Sequence, residues 1–224
     1  MKMKPILFFC SLTSIIGTVS FAQISLAASN LPNSAAPAVN NDKQAIKQPV
    51  VLLYQTLNHI QQPNSGTSEQ RAALLLPVLQ KSYDIPTVLA NTVGYRYNSF
   101  SDTEKQQLAQ VFERFTVSRY LSNFTPDASA KFEILPDVKP APVGTDQIVS
   151  TKIGAANDFA SATEVNYLVR NTPQGWKIVD VLLNGHISQV ALQHVDFSAS
   201  LANGGIQKLT DMLNQKIASS TDNK

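Results

Sequence analysis

Asp180 is the acid in this chain whose neighbours could give it unusual chemistry. It alternates with the apolar residues Trp176 and Ile178 in a segment of period 2, which predicts a strand that turns all three side chains to one side. A carboxyl group in apolar surroundings has a raised pKa and could serve an enzyme as a general acid or base. The alternative interpretation places Asp180 near the strand end, where it accepts a hydrogen bond from a neighbouring backbone amide.

Arg96 is the candidate for binding an anion. It lies between Tyr95 and Tyr97 in a predicted turn, and a guanidinium group there could meet a phosphate. The alternative is an arginine that is solvated or that caps a helix.

The sequence lacks the residue spacing that other kinds of reactive site require. The histidines, His59, His186 and His194, do not have the short separation of a metal-binding pair. Ser188 has no nucleophile-elbow setting, and the sequence has neither a suggestively spaced carboxylate pair nor a glycine-rich phosphate loop. We therefore expect no metal, no cofactor and no catalysis.

The N-terminus resembles a secretory signal peptide. Lys2 and Lys4 precede an apolar run, and small residues follow at Ala27 and Ala28. We expect cleavage that removes residues 1–27, with a retained membrane span as the alternative. Cys10, the single cysteine, would leave with this segment, so the mature protein would have no disulfide, thiol nucleophile or cysteine metal site.

The charge balance argues against nucleic acid as a partner. The formal net charge is +2, and loss of Lys2 and Lys4 would leave zero. The remaining lysines and arginines are scattered singly, without the basic stripe that binds phosphate backbones or an anionic membrane surface.

Helices are predicted first, within an ordered domain at residues 42–217. Residues 28–41 have the composition of a flexible linker, and we expect residues 218–224 to form a disordered tail. A first helix to residue 62 is expected to be interrupted at Pro49. Capping boxes that begin at Thr67 and Ser101 start two further helices, and Asp84 caps a short segment that Gly94 ends.

After Pro126 the apolar period changes from 3.6 to 2, which predicts half-buried antiparallel strands. A hairpin turn at residues 171–175 joins the last two. The order of elements favours an α+β fold: N-terminal helices, a curved four-stranded antiparallel sheet, and C-terminal helices packed on one sheet face, as in the NTF2-like cone.

Several stretches, in their order along the chain, resemble the toluene-tolerance or MlaC-type family of periplasmic phospholipid carriers. They are Leu76-Pro77-Val78 with Tyr83, Val93-Gly94-Tyr95-Arg96-Tyr97, the helix with Phe112 and Phe115, and the C-terminal segment from Trp176 through Phe197 and Gly205-Ile206. The chain looks closest to the hopanoid-associated branch. It departs from the pattern with an extra residue near His186 and with histidine at His194.

The resemblance implies a monomeric periplasmic carrier of phospholipid or hopanoid. It would exchange this cargo with an inner-membrane lipid transporter and an outer-membrane complex. Each buried methylene gains about 0.8 kcal/mol, so a sixteen-carbon chain gains on the order of 10 kcal/mol only inside an enclosed apolar pocket.

The resemblance also implies that inward strand and helix positions wall this pocket, whereas ordinary core packing is the alternative for each of them. Arg96 would be the headgroup contact, and Tyr167 and Trp176 would suit the mouth because they have polar tips. The twelve predicted wall residues are Leu76, Val88, Phe112, Phe115, Phe132, Ile134, Val149, Val165, Tyr167, Val169, Trp176 and Ile178.

Two other functions stay open from the sequence. An NTF2-like isomerase or dehydratase would use Asp180 as its buried acid. A ligand-free periplasmic accessory subunit of a transporter would bind no lipid.

Overall fold

The computed structural model describes residues 36–221 of the chain, with side chains from residue 42 to residue 220. The predicted signal peptide, residues 28–35 of the predicted linker and the last three residues lie outside this part. The helices are α1 (Ala36–Ile60), α2 (Ser68–Ser82), α3 (Ile85–Val93), a 3-10 turn (Gly94–Ser99), α4 (Asp102–Asn123) and α5 (Gln189–Thr221). The strands are β1 (Ala130–Pro140), β2 (Gln147–Ala155), β3 (Asp158–Thr172), β4 (Gly175–Leu183) and β5 (Ile187–Ser188).

Local side-chain caps begin three of the helices where the sequence predicts them. Thr67 and Ser101 each form a complete capping box, and Asp84 accepts a hydrogen bond from the backbone of Thr87. The prediction of a break at Pro49 is wrong, because α1 continues through it and buries it. The helix also begins at Ala36 and so includes residues 36–41.

The strands form one antiparallel sheet in the order β1-β2-β3-β4-β5, which confirms the α+β class. The prediction of four strands is wrong, because the two residues of β5 pair with the end of β4. An Asn-Gly turn makes this pairing possible: Asn184 and Gly185 both have positive φ, and the His186 amide donates to the Leu183 carbonyl over 3.1 Å. Such a turn matches the twist of two paired strands.

A β-bulge in β4 changes which side chains share a face of the sheet. Leu168 pairs with Asp180 and Val169 pairs with Ile178, so Val179 is the extra residue. Successive residues of β3 point to opposite faces. The prediction that Asp180 faces the same side as Ile178 is therefore wrong, because the bulge reverses the alternation.

The first helix supplies much of the helical cover of the sheet, since α1 contacts β1, β2 and β4. The ring of Tyr54 packs 4.8 Å from Phe132 and 5.8 Å from Tyr167, and its hydroxyl lies 2.6 Å from that of Thr151. Gln61 exchanges two hydrogen bonds of 2.7 Å with the backbone of Ala130. These contacts fix α1 across the sheet.

The C-terminal helix packs mainly against α3 and α4 and touches the sheet at β4 and β5. It is divided at Gly204 and Gly205, whose backbone angles are not helical. Gly205 has φ 62 and ψ −151, a combination that only glycine adopts without strain. The two parts of α5, residues 189–203 and 206–221, therefore turn relative to one another.

Candidate functional site

A cavity of about 100 Å³ lies where α3, α4 and both parts of α5 meet the bulged end of β4. Its apolar lining comes from helices whose hydrophobic faces converge there. These side chains are Ile85, Val88, Phe112, Phe115, Val181, Val190, Leu192 and Phe197. The cavity opens at a rim of polar and charged side chains.

Aromatic rings form much of the apolar wall. Phe112 and Phe115 share a face of α4 because they are three residues apart, and their ring centroids are 6.3 Å apart. Phe197 of α5 meets Phe112 edge-on at 6.4 Å. All three rings are buried, so α4 and α5 are held together along the side of the cavity.

Tyr83 and Tyr120 add a buried polar contact to this lining. Their hydroxyl oxygens lie 2.6 Å apart, so one hydroxyl donates a hydrogen bond to the other. Burial raises the pKa of Tyr120 to about 12 and raises that of Tyr83 well above its ordinary value. Both phenols therefore stay neutral at physiological pH, which suits an apolar cavity.

Asp180 lines the cavity, but its carboxylate is committed to the start of α5. It accepts hydrogen bonds from the amide of Val181 at 2.7 Å, the amide of Val190 at 3.0 Å and the hydroxyl of Ser188 at 2.5 Å. Burial raises its pKa, and these hydrogen bonds oppose the rise. Ser188 in turn accepts from the Ala191 amide at 2.9 Å. The alternative of a backbone-bonded acid near the strand end is confirmed.

Two cations and one further acid stand at the rim of the cavity. Arg119 lies on α4 beside Phe115, with its guanidinium carbon 5.9 Å from the ring centroid. Burial lowers the pKa of Arg119, and the charge of Asp196 opposes that shift. The ammonium of Lys216 lies 3.9 Å from a carboxylate oxygen of Asp196. This ion pair joins the two parts of α5.

Two amide side chains of α5 also line the cavity, one helical turn apart. The Oε1 atoms of Gln189 and Gln193 are buried and have no hydrogen-bond partner among residues 36–221. Buried polar atoms are usually paired, so each needs a donor such as water or a bound molecule.

Three of the twelve sequence-predicted wall residues, Val88, Phe112 and Phe115, line this cavity. The other nine belong to the packing of helices and sheet outside it, and their part in binding stays a prediction. Tyr167 is 2 % exposed and is surrounded by core, so its hydroxyl is not at a mouth. These nine are Leu76, Phe132, Ile134, Val149, Val165, Tyr167, Val169, Trp176 and Ile178.

The structure gives Arg96 and His194 contacts with the backbone. The Nη1 of Arg96 donates to the carbonyl of Leu201 over 2.8 Å, close to the break in α5, and Arg96 does not line the cavity. The Nδ1 of His194 lies 2.8 Å from the carbonyl of Thr92. Both side chains therefore tie α5 to the region around α3.

The sequence analysis did not predict Arg119, Asp196 or Lys216 at the rim of the cavity, although the sequence contains a signal for Arg119. Arg119 follows Phe112 and Phe115 at helical spacing, which places a cation on the apolar face of α4. Asp196 and Lys216 reach the same place only because α5 is broken, and that geometry is not visible in a residue pattern.

The part of the chain from residue 36 to residue 221 contains no group of three or more His, Cys, Asp or Glu side chains that could hold a metal ion. None of its helices combines the length and apolar character needed to cross a bilayer.

The sequence and the fold were compared with those of known proteins. The sequence model of the MlaC protein family matches residues 51–215, and no curated protein sequence matches the chain. The fold is similar to that of a phospholipid-binding protein from Ralstonia solanacearum, solved in complex with a phospholipid: the TM-score is 0.64 at 17 % identity, over 80 % of this chain and 98 % of that one. The family match spans more than half of the chain, which therefore belongs to the MlaC protein family.

Proposed function

We propose that this protein is a periplasmic lipid carrier that holds acyl chains in the cavity between α3, α4 and α5. The observation that carries the proposal is the cavity itself, an aromatic and aliphatic lining with a charged rim, in a chain of the MlaC family. The Ralstonia protein of similar fold holds a phospholipid. The signal-peptide pattern at residues 1–27 supports the periplasmic location.

The cavity must widen to take an acyl chain. Its present volume is about 100 Å³, whereas a cavity of roughly 150 Å³ holds only benzene and ligand pockets reach about 300 to 1,000 Å³. Val88, Phe112 and Phe115 would contact the cargo first. The nine remaining predicted wall residues would contact it where widening separates the helices from the sheet.

The proposed activity is binding and release without catalysis. A buried-acid enzyme would need Asp180 to exchange a proton with a substrate, and this carboxylate accepts hydrogen bonds that begin α5. Release to a second membrane complex requires that docking favour a more open state, because a partner shifts a conformational equilibrium only through its different affinity for the two states. An inner-membrane lipid transporter and an outer-membrane complex are the proposed partners, and the cargo is a glycerophospholipid or a hopanoid.

Mass spectrometry of organic extracts tests this function. The purified protein, made in a host that produces hopanoids, should contain lipid in a fixed ratio to protein. Val88→Phe, which fills the cavity, should reduce the recovered lipid at least about tenfold, corresponding to about 1.4 kcal/mol. Val50→Leu changes a buried valine of α1 that is neither in the cavity lining nor among the predicted wall residues, and it should leave recovery unchanged.

The outcome also separates the carrier from an accessory subunit. Wild-type protein that yields no lipid, from the producing host or after incubation with vesicles, would contradict the carrier function. Trp176→Glu tests the wall on the sheet side: lost recovery from a folded variant would extend the binding region to the first residues of β4.

A further inference from the structure

We propose that Arg119 and Lys216 form a binding site for the phosphodiester of a lipid headgroup at the rim of the cavity. The inference rests on the proposed lipid-binding function and adds the chemical group that is recognised. A phosphodiester carries one negative charge and offers several acceptor oxygens, which suits two cations on adjacent helices.

The position of Arg119 suits an anion that is attached to an apolar chain. Its guanidinium lies beside the ring of Phe115, at the border between the apolar wall and solvent. Burial lowers the pKa of Arg119, which means that the charged form is poorly hydrated there. A guanidinium in such surroundings is stabilised by an adjacent anion.

Asp196 is the carboxylate near Arg119, and it is shared with Lys216 through a long contact. Asp196 opposes the fall in the pKa of Arg119 and also faces Lys216, whose ammonium is 3.9 Å away. That distance exceeds a normal hydrogen bond, and the two side chains are 43 % and 44 % exposed. Asp180, the other acid of the cavity, is held by the start of α5. Among the described residues that line the cavity, Arg119 and Lys216 thus share the rim with one exposed carboxylate, that of Asp196.

Gln189 and Gln193 supply neutral polar groups to the same cavity. Their buried oxygens are without partners in the described part of the chain, and both residues line the same cavity as Arg119 and Lys216. An amide side chain can present either its oxygen or its NH2 group. It can thus donate to a phosphate oxygen or accept from a headgroup hydroxyl.

The apolar cavity next to the cations favours a lipid phosphate over a free phosphate ester. The aromatic wall begins at Phe115, in contact distance of the Arg119 side chain. A phosphodiester bound at the rim would therefore direct its acyl chains inward, and the apolar burial would be lost for a headgroup without chains.

Displacement of a fluorescent fatty acid from the purified protein tests the site. The competitors are dioleoylphosphatidylglycerol, dioleoylglycerol with the same chains and no phosphate, and glycerol 3-phosphate with no chains. Wild-type protein should release the fluorescent fatty acid at a concentration of phosphatidylglycerol at least about tenfold lower than of dioleoylglycerol. Glycerol 3-phosphate should not release it.

The variants assign this preference to the two cations. Arg119→Gln combined with Lys216→Gln should reduce the ratio of the dioleoylglycerol concentration to the phosphatidylglycerol concentration to about one, because displacement by phosphatidylglycerol then requires more lipid. The matched control changes Arg114 and Lys208 to glutamine, exposed cations on the same helices that do not line the cavity. It should keep the wild-type ratio. Asp196→Asn removes the competing carboxylate, leaves both cations in place and should increase the ratio.

Equal displacement by the two lipids in wild-type protein would overturn the headgroup site while the carrier function stands. A preference that survives the Arg119 and Lys216 changes, or that falls in the Asp196 variant, would overturn the assignment to these residues. Displacement by glycerol 3-phosphate at concentrations similar to those of the lipids would mean that the site recognises a free phosphate ester and not a lipid. No binding of the fluorescent fatty acid or of either lipid would overturn the proposed function together with this site.

Discussion

Filling the cavity should stabilise the lipid-free protein and weaken lipid binding at the same time. Val88 lines the cavity and is 5 % exposed. At about 24 cal/mol per Å³, a cavity volume of about 100 Å³ sets an upper bound of about 2.4 kcal/mol on the gain in stability, because this cavity opens at its rim. Phenylalanine at this position adds carbon atoms that can occupy the space, and some of the gain is lost to fixing the larger side chain. We expect Val88→Phe to raise the free energy of unfolding by about 1 kcal/mol.

A buried valine outside the cavity should change the free energy of unfolding in the opposite direction. Val149 of β2 is fully buried and does not line the cavity. Val149→Phe therefore overpacks the core and should lower the free energy of unfolding by about 1 to 3 kcal/mol. The sign of the change, more than its size, separates the two sites.

Urea unfolding of the delipidated proteins measures both changes, since a shifted midpoint with an unchanged slope reports stability alone. Titration with a fluorescent fatty acid then gives the affinity of the same samples. A loss of stability in Val88→Phe as large as that in Val149→Phe would refute the reasoning, because it would mean that no usable space adjoins Val88. Unchanged fatty-acid affinity in Val88→Phe would refute the link between this space and binding.

Two further predictions concern the buried polar groups of the lining. Because burial raises the folded-state pKa of Asp180, its contribution to stability is largest when it is protonated and falls as pH rises from its unfolded pKa through its folded pKa. Asp180→Asn removes this titration, so the stability of wild type relative to this variant should decrease over that range in urea unfolding; parallel pH profiles would contradict the assignment. Tyr83→Phe and Tyr120→Phe should each cost about 1 to 3 kcal/mol by leaving the other hydroxyl unpaired, whereas the double variant should cost less than the sum. Strict additivity in this double-mutant cycle would mean that the two hydroxyls do not interact.

Features that depend on a few neighbouring residues could be predicted from the sequence. The capping boxes at Thr67 and Ser101 each pair two residues three positions apart, within one helical turn, and both formed as expected. The change of apolar period after Pro126 located the sheet for the same reason. The Asn184-Gly185 dipeptide was an equally local signal, and it would have predicted β5.

Features that depend on register or on distant packing were not visible in the pattern. The bulge at Val179 leaves no distinct mark in the sequence, yet it moves Asp180 to the opposite face from Ile178. The inward residues of the sheet looked like a pocket wall because strand alternation does not say what covers them. In the structure α1 covers them, with Tyr54 between Phe132 and Tyr167, and the cavity forms beside the sheet instead.

The small volume of the cavity and the break in α5 both concern how the cavity widens to admit a lipid. An acyl chain needs more room than about 100 Å³, so a wall must move, and interdigitated core packing yields less readily than a helix junction. The wall formed by α5 is interrupted at Gly204 and Gly205, and the pair of Asp196 and Lys216 spans the two parts across the cavity rim. A headgroup phosphate that draws Lys216 from Asp196 would loosen that connection where the chains must pass. Binding of the headgroup and opening of the cavity would then be one coupled event, and a lipid without phosphate would open the cavity less easily than its phosphorylated counterpart.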